Sequence, residues 1–199
     1  MSDAAVAALR AGKPVLLPTD TVYGLCADVY REEPVLRAYR LKGRDEGKPS
    51  ALLAADVDML LECVPELRGR AATIARALLP GPYTLVLPNP ARRFRWLGGS
   101  RPDTIGVRVP DLPPESLAVV GAVGAVMATS ANAAGGRDPR RLEEVPDEIR
   151  SRCGAEVDVG ELPGTPSTVL DLTGDEPRVL REGAVPAEDA LARVRAALA

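Results

Sequence analysis

The chain has no histidine among its 199 residues. That absence excludes a Ser-His-Asp triad, a Cys-His nucleophile pair and the usual histidine-bearing zinc sites. Cysteine is scarce: Cys26, Cys63 and Cys153 stand apart, without CxxC spacing and with hydrophobic neighbours. They read as reduced packing residues of a cytoplasmic protein. One Trp, four Tyr and one Phe are too few for a series of base-stacking platforms, which argues against a dedicated single-strand nucleic-acid binder. No apolar run approaches the roughly 20 residues needed to span a bilayer. The opening MSDAAVAALRAGKPV lacks the basic start and apolar stretch of a signal peptide, so no membrane association is expected. A net charge of −3 supplies no global field to attract polyanions.

What is present suits one soluble domain. Hydrophobic residues make up 46% and charged residues 27%, and the length allows one sizeable core, built mainly of Leu, Val and Ala. No repeat, heptad seam or linker interrupts the chain, so residues 1–199 are read as a single domain. Ser2 or Asp3 can cap a helix that stops at Gly12, and a second helix over 33–41 has Pro34 in its first turn and Gly43 beyond its end. Further helices are predicted over 65–79, 114–121 and 142–152 and after Pro186. Strands are predicted over 15–17, 50–53, 83–87, 105–109 and 125–128, and a hairpin over 168–172 and 178–180. The segment 21–30 has no clear period. In the 105–109 strand, Ile105, Val107 and Val109 share one face, while Gly106 and Arg108 share the other. The mixture indicates an α/β or α+β domain around one sheet, with antiparallel pairing at least in the hairpin.

Polar residues with special backbone roles recur at strand ends: Thr19-Asp20-Thr21, Lys42-Gly43-Arg44, Arg108, Ser130-Ala131-Asn132, Pro166-Ser167-Thr168 and Arg181. Singly, each reads as a turn, a cap or an exposed charge. Together they matter more, because ligands of open α/β sheets gather at strand ends. Two basic clusters, Arg37, Arg40, Lys42, Arg44 and Lys48, and Arg92, Arg93, Arg95, Arg101 and Arg108, read as solvated surface taken alone but could face each other across a cleft. Guanidinium forks suit phosphate, and hydroxyls with an amide suit a small polar ligand. The segment Gly43-Arg44-Asp45-Glu46-Gly47-Lys48-Pro49-Ser50 is not a phosphate-binding loop of the Walker type. Its first glycine is one residue too close, Pro49 replaces the hydroxyl residue and a helix precedes it. Any triphosphate must therefore be held by side-chain cations.

The run Pro18-Thr19-Asp20-Thr21-Val22-Tyr23-Gly24-Leu25 resembles the opening signature of the YrdC/Sua5 family, the threonylcarbamoyl-adenylate synthases. Lys42-Gly43-Arg44 resembles its KxR motif, and Leu79-Pro80-Gly81-Pro82-Tyr83-Thr84-Leu85 its turn-strand segment. Val107-Arg108-Val109-Pro110, Ser130-Ala131-Asn132, Ser167-Thr168-Val169 and Leu180-Arg181-Glu182-Gly183 follow in family order.

The resemblance implies a YrdC-like twisted open sheet of mixed parallel and antiparallel strands, flanked by helices. It implies a nucleotidyltransferase that forms L-threonylcarbamoyl-adenylate and pyrophosphate from L-threonine, bicarbonate and ATP. Downstream threonylcarbamoyl-transferase machinery would then modify tRNA to N6-threonylcarbamoyladenosine, and double-stranded RNA binding stays open as an alternative for the basic surface. Carried over, Thr21, Arg108, Ala128 and Ser167 surround the threonine. Arg44, Lys48, Thr104, Ser130, Asn132 and Arg181 surround the nucleotide, and Lys42 and Arg44 are the catalytic pair. Mg²⁺ would accompany the ATP, with no metal cage of the protein's own. Lys48, Leu53 and Thr129 depart from residues common in the family, Leu53 standing where some members have a histidine.

Overall fold

In the computed structural model, which describes residues 2–199, α1 (Ser2–Arg10) runs up to a turn whose Gly12 has φ of 73°, the left-handed conformation of a helix-stopping glycine. β1 (Val15–Pro18) turns back at once into β2 (Tyr23–Asp28), which resolves the segment that lacked a period. Both strands are buried on their two faces, so no polar residue alternates to mark them. α2 (Glu32–Lys42) begins with two glutamates, carries Arg40 and Lys42 in its last turn, and closes on Gly43 at φ 64°.

β3 (Ala51–Ala54) leads into α3 (Val57–Cys63), a short helix not expected from the sequence. Its signal was Asp56, whose side chain accepts the N–H of Met59 as an N-cap. The helix predicted over 65–79 is shorter than expected: α4 covers Arg70–Leu78. Gly69, at φ 53° and ψ −128°, cannot continue a helix backwards, although Leu67 still reaches the core through the preceding turn.

β4 (Tyr83–Pro88), β5 (Thr104–Arg108), α5 (Pro114–Val123) and β6 (Ala125–Ser130) follow within a residue or two of their predicted bounds. The helix predicted over 142–152 breaks into a 3-10 turn at Leu142–Glu144 and one helical turn, α6 (Asp147–Arg150). Pro146 separates them, because it has no N–H to continue a helical ladder. Short β7 (Ala155–Glu156), the hairpin of β8 (Thr168–Asp171) and β9 (Arg178–Arg181), and α7 (Ala187–Leu198) complete the described residues.

The strands form one sheet in the order β7-β1-β2-β6-β3-β5-β4-β8-β9. Pairs β1/β7, β3/β5 and β4/β8 are parallel and the others antiparallel, so the sheet is mixed. One face carries Leu25, Leu52, Met127, Val107, Leu85 and Leu170 into the larger apolar core, together with residues of α2, α4 and α7. The other face carries Leu17, Cys26, Leu53 and Val126 into a smaller core with α1 and α5. These two helices cover only part of their face. The remainder, over β6, β3, β5, β4 and β8, lies open as a cavity.

Leu85 and Leu180 separate the two kinds of surface. Leu85 is fully buried in the larger core, whereas Leu180 is 56% exposed at the cavity mouth. Leu85→Ala is expected to cost about 2–5 kcal/mol of unfolding free energy, and Leu180→Ala to stay within about 0.5 kcal/mol. Urea titrations of both variants check the assignment.

Candidate active site

Residues that alternate along each strand bring the cavity together. On the open face, Ala128 of β6, Ala51 of β3, Gly106 of β5 and Val86 of β4 lie side by side in register. Four neighbouring strands therefore present little or no side chain at the same level. The result is a shallow floor under a cavity of about 460 Å³, within the range of small-molecule sites. Gly106 is the tightest point of the floor: a Cβ there would lie 3.2 Å from the carbonyl oxygen of Ser50. An isolated glycine inside a strand marks such close approach.

Walls rise from the strand ends and the loops after them. Arg44 and Lys48 enter from the loop after α2, Arg101 and Thr104 from the far side, and Arg181 from the edge strand β9. Arg44 donates to the carbonyl of Pro49 at 2.5 Å and lies over the Tyr39 ring, 5.9 Å from its centroid. Its Nε is buried without a hydrogen-bond partner, and burial holds its pKa below the usual arginine value. Arg181 donates through Nε and Nη2 to the carbonyl of Ser167, at 3.2 and 2.8 Å. The Ser167 hydroxyl in turn shares a proton with Thr84 at 2.8 Å.

At the other end of the floor stands Arg108, the last residue of β5. Its Nη2 donates to Asp20 Oδ1 at 2.8 Å, and the two side chains are 11% and 9% exposed. Burial pushes the guanidinium pKa down against the pull of Asp20, and pushes the Asp20 carboxyl up against the pull of Arg108. For both partners, then, removal from water outweighs the mutual attraction. Asp20 Oδ2 and Arg108 Nε have no partner. Buried groups with unused hydrogen-bonding capacity are unfavourable in a purely structural ion pair. They suit a site that receives a polar ligand.

Lys42 and Asn132 do not line the cavity. The Lys42 ammonium donates to the Ser130 carbonyl, to the Ser130 hydroxyl at 3.2 Å and to Asn132 Oδ1. The Ser130 hydroxyl also donates to Asn132 Oδ1, at 2.6 Å, and Asn132 Nδ2 donates to the Gly136 carbonyl. Lys42, predicted as one of the catalytic pair, is 4% exposed with its donors engaged beneath Ser130. Burial and the nearby Arg44 cation lower its pKa to about 8, with Asp138 opposing.

Of the other residues predicted for the site, Thr21, Ala128, Ser167, Ser130, Thr104 and Lys48 all line the cavity, as do Arg44, Arg108 and Arg181. Leu53 is buried under the smaller core, away from the lining. The two basic clusters contribute only in part. Arg37, Arg93 and Arg95 turn outward to ion pairs with Glu33, Glu66 and Glu32. Asp138, the one carboxylate of the lining, went unassigned from sequence, and so did the floor residues Ala51 and Val86. Small residues inside strands leave no compositional signal of what lies above them. Among the described residues no group of three or more His, Cys, Asp or Glu could hold a metal, and no helix is long and apolar enough to cross a membrane.

A family model described as "Telomere recombination", for Sua5, YciO and YrdC, matches residues 7–183. The threonylcarbamoyl-AMP synthase of Pyrococcus abyssi is 34% identical over 182 residues, which are 91% of this chain and 53% of that protein. The crystal structure of P. abyssi Sua5 complexed with L-threonine superimposes with a TM-score of 0.87 at 33% identity, covering 96% of this chain and 56% of that one. The structure of E. coli YciO gives a TM-score of 0.81 at 28% identity, covering 93% and 90%. The chain thus spans about half the length of the P. abyssi protein. With the match running through all of its described strands, this chain belongs to the Sua5/YciO/YrdC family.

Proposed function

We propose that the chain, taken as a single YrdC-like domain over 1–199, is a cytoplasmic L-threonylcarbamoyladenylate synthase. As a nucleotidyltransferase it would form threonylcarbamoyl-AMP and pyrophosphate from L-threonine, bicarbonate and ATP, to supply the modification of tRNA to N6-threonylcarbamoyladenosine. One observation carries this reading. A single floor of small residues has a buried, under-satisfied arginine at one end, Arg108, and phosphate-type cations along its walls, Arg44, Lys48 and Arg181. An amino acid and a nucleotide would lie side by side there. The name of the P. abyssi relative and the L-threonine held by its structure support the same reading. Within the family, the Lys42-Gly43-Arg44 and Ser130-Ala131-Asn132 motifs favour the synthase over the YciO branch, and here they form one hydrogen-bonded unit through Lys42.

In this reading Arg108 pairs the α-carboxylate of threonine, and the hydroxyls of Thr21 and Ser167 meet its polar atoms beside Ala128. The amine nitrogen bonds to the carbon of carbon dioxide drawn from bicarbonate and releases a proton, giving the carbamate. A carbamate oxygen then attacks the α-phosphorus, and the bond from that phosphorus to the bridging oxygen breaks as pyrophosphate leaves. Such a step asks chiefly for alignment and for neutralisation of phosphate charge. Arg44, Lys48 and Arg181 would neutralise, while Thr104 and Ser130 offer hydroxyls and Lys42 and Asn132 hold Ser130 in place. Mg²⁺ bound to the triphosphate would supply further charge neutralisation. Asp138 in the lining is a carboxylate that could help hold such an ion alongside the phosphates. Arg37, Arg93 and Arg95 are paired with glutamates, which weakens the basic surface as a seat for double-stranded RNA.

The test is formation of threonylcarbamoyl-AMP and pyrophosphate with each substrate omitted in turn. Dependence on ATP, threonine and bicarbonate together is expected, and pyrophosphate release indifferent to threonine or bicarbonate contradicts the proposal. Two variants should then divide the site. Arg108→Ala is expected to weaken threonine binding by about 2–5 kcal/mol while changing ATP binding much less. Arg44→Ala should show the reverse pattern. Titration calorimetry with each ligand reads both, and equal losses of the two ligands in either variant contradict the division.

A further inference from the structure

Asp20 has no task in the reaction just described, yet the site is arranged around it. Its carboxylate lies behind the cavity wall rather than in the lining. Asp20 belongs to the turn between β1 and β2, whereas Arg108 ends β5, with β6 and β3 between them in the sheet. The ion pair therefore spans one end of the floor. Oδ1 accepts from Arg108 Nη2 at 2.8 Å and from the Thr21 hydroxyl at 3.2 Å.

The turn itself is fixed by Thr19. Its hydroxyl donates to the Val22 carbonyl at 2.8 Å and accepts the N–H groups of Thr21 and Val22, at 3.2 and 3.3 Å. The Thr19 and Thr21 hydroxyls also lie 3.1 Å apart. The Thr21 hydroxyl gives its single proton to Asp20 Oδ1 and accepts from Arg108 Nη2 at 3.5 Å. Toward a ligand Thr21 presents its remaining lone pair.

We propose that Asp20 is a positioning residue for the amino-acid substrate, acting through Arg108 and Thr21; the inference rests on the proposed reaction. It anchors the Arg108 guanidinium by one Nη at the edge of the cavity that Arg108 lines, where the guanidinium can meet the α-carboxylate. It also draws the Thr21 proton inward, which makes Thr21 an acceptor for an N–H or O–H of the substrate. A carboxylate is required rather than an amide. A charge-assisted bond holds the guanidinium more firmly, and an amide would add N–H donors beside Thr21 and release its hydroxyl to donate instead.

The test is a double-mutant cycle with Asp20→Asn and Arg108→Lys on the full chain, reading L-threonine and ATP affinity by calorimetry and kcat/KM for threonine. Asp20→Asn is expected to weaken threonine binding about tenfold or more with ATP binding within about threefold. In the Arg108→Lys background the same substitution should change threonine affinity less than about threefold, because it acts through the arginine. Should Asp20→Asn fail to fold, Asp20→Glu, which keeps the charge and displaces the guanidinium, is expected to give the same selective loss of threonine. Equal losses of threonine and ATP, or a full effect retained in the Arg108→Lys background, overturn the inference. Wild-type threonine affinity in Asp20→Asn overturns it alone, whereas a wild-type chain that binds no threonine overturns the proposed function as well.

Discussion

The site depends on a constraint of volume before it depends on charge. A β-sheet face that is not covered by a helix normally has to be polar or be covered by something else. In this protein α1 and α5 cover only one part of their face, and the remainder is built from Ala128, Ala51, Gly106 and Val86 at one level across four strands. Larger residues there would fill the cavity and turn it into core. Because the floor is low, a ligand can lie against backbone and short side chains, and residues at the strand ends can reach it from several directions.

Charge is then placed at the rim, at a cost the fold tolerates only in the presence of a firm scaffold. Burial works against the charged forms of Lys42, Arg44 and Arg108 alike. Each is held differently. Lys42 is engaged under Ser130, Arg44 rests over the Tyr39 ring and on the Pro49 carbonyl, and Arg108 leans on Asp20. Preorganised cations of this kind gain most when an anionic ligand arrives, because little reorganisation remains to be done. Arg44 and Arg108 each also keep a buried Nε without a hydrogen-bond partner.

Much of this could be read from the chain alone, for identifiable reasons. Alternation in the fifth strand put Gly106 and Arg108 on one face, and the structure turns that face to the cavity. Gly12 and Gly43 ended helices because left-handed backbone is cheap only for glycine. What stayed hidden depends on tertiary placement. Nothing local distinguishes Lys42, whose ammonium ends beneath the wall, from Lys48, which lines it. Asp20 looked like a turn residue, and it is one, but its partner lies 88 positions away in sequence. Over 65–79 the apolar spacing was real, yet Gly69 ended the helix early while Leu67 reached the core through a turn.

The central claim is that one floor seats an amino acid and a nucleotide together. A crystal structure of the chain with L-threonine and a non-hydrolysable ATP analogue measures it most directly. The account predicts both ligands over Ala51, Gly106 and Ala128, with the threonine carboxylate on Arg108 and the phosphates among Arg44, Lys48 and Arg181. Either ligand bound away from that floor, or the two excluding one another from it, would contradict the account.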